Sequence, residues 1–233
     1  MAGIIQDSNG YYYRVTNQAG WAGADPHGYY QGQYRWDNSY LLNNARVIFD
    51  QLYGYGWDRD SICAVIGNMA RECRLNPAQT QDGYEIGGTS GGYGLVMWTP
   101  QTKYTNWCRS ANHSVESAYW QLWFIENKPT PEEQRQFNEH DGHYNITWDD
   151  FIHNNRGYTV EELTAVWLKC YERAGVAALS QRIYYATNYA QEFYNYVPSG
   201  PVDPDPSPYK PYKIKMPLWM MLGKRRNIVI EKY

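Results

Sequence analysis

Glu72 is the residue in this chain best placed to do chemistry. Ile62, Val65, Ile66 and Met69 follow the i, i+3, i+4 spacing of a core-facing helical stripe, and Glu72 continues that stripe just before Asn76-Pro77 ends the helix. A carboxyl pointing inward is costly to ionise, and the negative end of the helix dipole acts in the same direction. The position therefore suits an acid that keeps its proton near neutral pH, as general-acid catalysis requires. The competing reading is a structural glutamate paired with a neighbouring arginine, Arg71 or Arg74, because ion-pair networks also bury carboxylates.

Several elements must position this residue. Asn38 or Ser39 caps a first helix whose inward residues are Leu41 or Leu42, Ala45, Ile48, Phe49 and Leu52, ending at Gly54-Tyr55-Gly56. Asp58 caps the helix that carries Glu72. Six glycines between Gly83 and Gly94 then indicate tight turns and close backbone approach, most simply a small irregular hairpin. That stretch lacks the lysine and the strand-to-helix context of a phosphate loop.

Thr99-Pro100 reads as an N-cap and first-turn proline for a helix through Tyr104, Trp107 and Cys108. A further helix is expected from Ser114, with Val115, Ala118, Tyr119, Leu122 and Ile125 on one face. Residues 127–146 are polar and loop-like, with a short helix after Pro131. Thr147 caps a brief helix, and Thr159 with Glu162 forms a capping box for a helix through Glu172 to Gly175, with Tyr158 stapled to Leu163. A last helix is expected over about 176–196 on Leu179, Ile183 and Ala186. The body is thus α+β and predominantly helical, with one small Gly-rich β-hairpin.

Composition narrows the class. The chain has 233 residues, 43% of them apolar, enough for one domain with a real core. Tyr (24) and Trp (10) far outnumber Phe (5), so most rings carry a polar tip, a property that suits wet interfaces and saccharide stacking. The net charge of −3 divides into about +6 on residues 209–233 and about −9 on the rest. So acidic a body argues against nucleic-acid binding. No apolar run is long enough for a membrane span, and no signal peptide is evident.

Cys63, Cys73, Cys108 and Cys170 form no C-x-x-C pair, and the five histidines show no metal or triad spacing, so neither metal nor cofactor is expected. Cys63 and Cys73 lie about 15 Å apart along one helix, too far for a disulfide, whereas a Cys108–Cys170 bridge stays open. Residues 1–37 read as an extended N-terminal arm rich in Tyr, Gly, Gln and Asn. Residues 38–197 form the folded domain. Residues 198–233 begin with a stiff Pro-rich linker and end in an apolar and basic peptide suited to docking on a partner.

One set of motifs resembles a known family. Asn44-Ala45-Arg46, Gly56-Trp57, Gly67-Asn68-Met69, Glu72, Leu75-Asn76-Pro77, Gly92-Tyr93-Gly94-Leu95-Val96, Trp98-Thr99-Pro100, Lys103-Tyr104 and Asn106-Trp107 resemble, in that order, the phage tail lysozyme family. Tyr171-Glu172-Arg173 resembles its later Y-E-R element, and the likeness covers about residues 40–196. It implies a lysozyme-like fold on a bacteriophage tail, a muramidase that opens peptidoglycan locally for DNA entry, with Glu72 in the place of the catalytic glutamate. Other tail or knob proteins are the partners expected for the two arms. Two positions depart from the pattern: Met97 stands where Gln is common, and Cys73 where Ser is. Met97 removes a polar group from the expected cleft floor.

Glycoside hydrolysis usually needs a second carboxylate, whose separation from the first sets the stereochemistry. Asp82 and Glu85 are the acids of the glycine-rich segment, and Glu85 is the preferred choice. Tyr93 and Trp98 are expected to line or stack on the saccharide site, or else Trp98 anchors the hairpin to the core. Glu172 and Arg173 are expected to be structural near the site, paired across to the Glu72 helix. A lytic transglycosylase using one glutamate, or a non-enzymatic wall-binding tail protein, are the alternatives to a hydrolytic muramidase.

Overall fold

The computed structural model describes residues 5–6, 12–13, 36–37, 39–81, 84–127, 137, 146–173 and 178–199. Within them lie a short antiparallel pair, β1 (Ile5–Gln6) and β2 (Tyr12–Tyr13), and seven α-helices. The helices are α1 (Ser39–Gly54), α2 (Arg59–Cys73), α3 (Thr102–Ser110), α4 (Ala118–Asn127), α5 (Trp148–Ile152), α6 (Val160–Trp167) and α7 (Leu179–Glu192). A π-helical turn, Leu168–Glu172, continues α6. The molecule is predominantly helical, as composition and periodicity predict. The N-terminal arm (apart from β1, β2 and residues 36–37), the C-terminal peptide from residue 200, Asp82 and most of residues 128–145 lie outside the described residues.

The organising element is α2, which is surrounded by α1, α6 and α7. Its inward stripe of Ile62, Val65, Ile66 and Met69 is fully buried, but Ser61, Cys63, Ala64, Gly67, Asn68 and Ala70 are buried too. The expected single stripe is therefore a helix enclosed on all sides, which its small residues permit. A Cβ on Gly67 would lie 2.6 Å from Ala186 Cβ and 2.7 Å from both the Ala186 nitrogen and the Arg182 carbonyl oxygen. Absence of a side chain there lets α7 cross α2 at backbone contact. Asn68 reinforces the crossing by donating to Ala64 O (2.9 Å) and Thr164 O (3.2 Å), which ties α2 to α6.

Capping follows the sequence closely. Asp58 accepts from Asp60 N and Ser61 N at the start of α2, and Thr147/Asp150 and Thr159/Glu162 both form reciprocal capping boxes. The far end of α2 stops through two successive left-handed residues, Arg74 (φ 52°) and Leu75 (φ 55°). Non-glycine residues there cost about 1–2 kcal/mol each, offset by complete burial of Leu75 and by Asn44 Nδ2 donating to Leu75 O at 3.1 Å.

Other boundaries differ from the sequence reading, each for a local reason. The described residues of 79–98 form no strand ladder; two isolated antiparallel bridges, Thr80 to Tyr93 and Tyr93 to Trp98, stand where the sequence predicts a hairpin. Glutamine side chains take over the backbone pairing. Buried Gln121 accepts from Leu95 N (2.8 Å) and donates to Pro77 O (2.7 Å) and Val115 O (2.9 Å). Buried Gln101 accepts from Gly87 N (2.7 Å) and donates to Glu85 O (2.9 Å) and Ser90 O (2.8 Å).

Helix α3 begins at Thr102 and not at Thr99-Pro100, because the Thr99 hydroxyl is engaged with Met97 O (3.0 Å). Likewise α4 starts at Ala118, after a turn over Ser114–Ser117, and α7 starts at Leu179. The helical run from Val160 does reach Glu172, its last five residues as the π-turn, and Gly175 lies outside the described residues. All four cysteines are free and buried, so Cys108 and Cys170 are not bridged. No helix among the described residues is long and apolar enough to cross a membrane.

The α2–α7 crossing provides a direct test. Ala in place of Gly67 gains helix propensity of about 1 kcal/mol, yet it forces a Cβ into two backbone atoms that cannot rotate away. We expect Gly67→Ala to lower stability by about 1–3 kcal/mol in urea unfolding, and Ala186→Gly to restore only part of it.

Candidate active site

Glu72 stands in the last turn of α2 with its side chain 22% exposed, at the point where the buried helix reaches solvent. Its partner is neither Arg71 nor Arg74. Arg71 Nε donates to Gln181 Oε1 (2.7 Å), and Arg74 forms the left-handed cap of the helix. The guanidinium that meets Glu72 is that of Arg182, from α7, whose Nη2 donates to Glu72 Oε1.

Arg182 is only 1% exposed. Its Nη1 donates to Glu172 Oε2 (2.5 Å) and to Asn68 Oδ1 (3.0 Å), so one buried cation joins two carboxyls and an amide from α2 and the π-turn. The close approach at Gly67 makes this reach feasible, since the Arg182 carbonyl itself lies against Gly67. A buried arginine of this kind is sustained only by close, hydrogen-bonded anions.

The second carboxyl, Glu172, is 3% exposed and is placed by the π-turn. Five residues correspond to about 140° of rotation on an α-helix, which would set Trp167 and Glu172 on different faces. The wider turn, closed by Arg173 N donating to Leu168 O (2.9 Å), brings them together, and Trp167 Nε1 donates to Glu172 Oε1 at 3.0 Å. Trp167 is itself fixed by stacking on Tyr171 (4.1 Å) and by contact with Trp57, Trp148 and Phe151. Burial pushes the Glu172 carboxyl up to about 8, the Arg182 charge and the indole hydrogen bond opposing the rise and the Glu72 charge adding to it.

The remaining predicted residues are not all brought to this point. Tyr93 (0% exposed) and Trp98 (5%) are core residues, so neither offers a ring face to a sugar. Trp98 stacks on Tyr104 (4.7 Å) and meets Phe124 edge-on, the anchoring role. The exposed aromatic of the loop is instead Tyr84, whose ring covers Gly91 so closely that a Cβ there would come within 2.3 Å of its Cγ. Met97 is half-buried against the core with φ +49°, held by its amide on Gly94 O (3.1 Å).

Glu85 lies exposed in the loop, where its carbonyl, rather than its carboxylate, is used to hold Gln101. Arg173 is exposed with φ 51° at the end of the π-turn, and the arginine paired with Glu172 is Arg182. Cys73, adjacent to Glu72, is buried with its sulfur 3.2 Å from Met69 O and 3.3 Å from Leu95 O, and burial pushes its thiol up. It couples the end of α2 to the loop wall.

Arg182 and Trp167 have no part in the sequence reading, and Asn68 enters it only within the Gly67-Asn68-Met69 motif. Arg182 left a signal: it shares a helical face with Tyr185, Ala186, Tyr189 and Phe193, all buried, so a charge sits within the apolar stripe of α7. The π-turn left none.

The raised Glu172 carboxyl fixes the sign of a stability effect. A proton held in the folded state but not in the unfolded one stabilises fully below the ordinary value of 4.5 and is lost as pH rises through about 8. Between these limits the Tm of the wild-type protein should fall with rising pH. Thermal melts of Glu172→Gln should show a flatter slope over the same window.

The profile of the phage tail lysozyme family matches residues 43–195, from α1 through α7 and including Glu72, Glu172 and Arg182. Morphogenesis protein 1 of Bacillus phage B103 is 34% identical over 134 residues, covering 56% of this chain and 33% of the relative. The matched region therefore spans about a third of that longer protein. With a matching profile over well over half of its length, the chain belongs to the phage tail lysozyme family.

Proposed function

We propose that the protein is a virion tail-associated muramidase that cleaves peptidoglycan locally during phage DNA entry, with Glu72 as the general acid. The observation that carries this reading is the position of Glu72: a carboxyl in the last turn of a wholly enclosed helix, still 22% exposed and held by a buried arginine. Packing on all sides fixes its direction, and partial exposure lets it meet a glycosidic oxygen. A general acid needs both.

The second carboxylate of a two-acid mechanism would come from the loop, where Glu85 is exposed to solvent. Glu172 is too deeply buried to attack a sugar or activate water on its far face. Because the carboxyl gathered beside Glu72 is of this buried kind, a lytic transglycosylase is the second reading. One glutamate would act as acid and then base, and the sugar's own hydroxyl would replace water.

Three lines support the placement on a phage tail: the family itself, a relative named as a morphogenesis protein, and terminal segments suited to docking. Residues 1–37 and 198–233 would contact other tail or knob proteins, and peptidoglycan is the substrate.

Glu72→Gln should reduce release of soluble fragments from purified peptidoglycan by at least about 10²-fold with the circular dichroism spectrum unchanged. Full activity in that variant would remove Glu72 as the acid. Mass analysis of the products separates the two chemistries, a reducing end indicating hydrolysis and an anhydro ring transglycosylation. For the termini, a chain lacking residues 201–233 should keep activity in solution but be incorporated poorly into particles. Normal packaging of the truncated chain would end the docking role.

A further inference from the structure

Arg182 poses a problem of charge balance. At 1% exposure its guanidinium must stay paired, since breaking a buried ion pair by removing one partner costs several kcal/mol. An arginine does not escape by giving up its proton. Yet an acid catalyst must carry a proton when it meets the glycosidic oxygen, and a protonated Glu72 no longer balances Arg182.

A second anion has to be within reach of the same guanidinium, and one is. Glu172 Oε2 lies 2.5 Å from Nη1 while Glu72 occupies Nη2, so both contacts exist at once and no side chain has to move. We propose that Glu172 is a positioning residue that holds the charge of Arg182 while Glu72 carries the proton. This rests on the reading of Glu72 as the acid.

Two carboxyls and one guanidinium are electroneutral with a single proton among them. With that proton on Glu172, Arg182 balances Glu72; with it on Glu72, Arg182 balances Glu172. In passing between these states one O–H bond is lost at Glu172 and one is gained at Glu72, and the net charge of the cluster stays at zero. Asn68 and the Trp167 indole hold the geometry in both, the first through Arg182 and the second through Glu172.

The groups that face Glu172 are Arg182 from α7, Glu72 from α2 and the Trp167 indole from α6, with the buried Cys73 thiol next beyond Glu72. The role differs from that of an ordinary structural ion pair in one measurable respect. A structural pair sets how much folded protein there is; a shared proton sets the pH at which the acid is ready.

Glu172→Gln can still accept from Trp167 but cannot offset Arg182. The alkaline limb of its kcat/KM profile on peptidoglycan should move acidward by about one to three pH units. Activity near neutrality should drop about tenfold or more and recover toward low pH, while Glu172→Asp keeps the wild-type limb. A loss that is the same at every pH, with the limb unmoved, overturns the proposal in favour of a structural role.

Should Glu172→Gln fail to fold, carboxyl carbon-13 NMR titration of the wild-type protein decides. Glu172 should titrate in two steps, as a group coupled to a second carboxyl does, and a single-step curve independent of its neighbour overturns the proposal. These titrations need no activity. Glu72→Gln that still cleaves peptidoglycan sinks the reading on which the role of Glu172 rests. An independent single-step titration of Glu172, in a protein whose Glu72→Gln variant is inactive, sinks that role alone.

Discussion

A cation buried to 1% exposure, Arg182, is the constraint from which the rest of the domain can be understood. Such a charge demands anions and amides at fixed distances, and those come from two separate stretches of chain, Asn68 and Glu72 on α2 and Glu172 on the π-turn, to meet Arg182 on a third, α7. The crossing at Gly67, the widened turn after Trp167 and the enclosure of α2 all serve that meeting. If any one shifts, one of these contacts is lost. Structural demand and site geometry are therefore the same requirement.

The loop wall is built by a different logic. Residues 79–98 contribute two bridges and little regular pairing, and their shape is maintained by side chains that stand in for neighbouring strands. Gln121 ties Leu95 and Pro77 to α4, Gln101 ties Glu85, Gly87 and Ser90 to the start of α3, and Cys73 links the wall to the residue beside Glu72. Tyr93 and Trp98 support this wall from within, their rings packed around Tyr104 and Phe124. Among its described residues, the wall presents Tyr84 and Glu85 to solvent together with Gln81, Thr89 and Ser90.

Much of this was legible in the chain because it follows short-range rules. The caps at Asp58, Thr147 and Thr159, the stripe from Ile62 to Met69 and the exit of α2 before Asn76-Pro77 are dictated within a turn or two of sequence. The family motifs drew attention to Glu72. What escaped depends on contacts across the fold. Arg182 lies 110 residues from Glu72, and its importance comes from burial that only the packed helices create. The π-turn adds no unusual residue type, so Glu172 was placed next to Arg173 when its partner lies ten residues on. The rings of Tyr93 and Trp98 suit a sugar and suit a core equally well, Trp98 being readable either way, and only packing across the fold buries both.

The four thiols lead to a different consequence. Cys63, Cys73, Cys108 and Cys170 are all unlinked and buried, and burial raises Cys63, Cys73 and Cys108 above the ordinary thiol range. Thiols shielded in this way react slowly with oxidants, and a domain without crosslinks draws no stability from them. The native domain accordingly holds no crosslink that a reducing environment, such as a glutathione-buffered interior, could break.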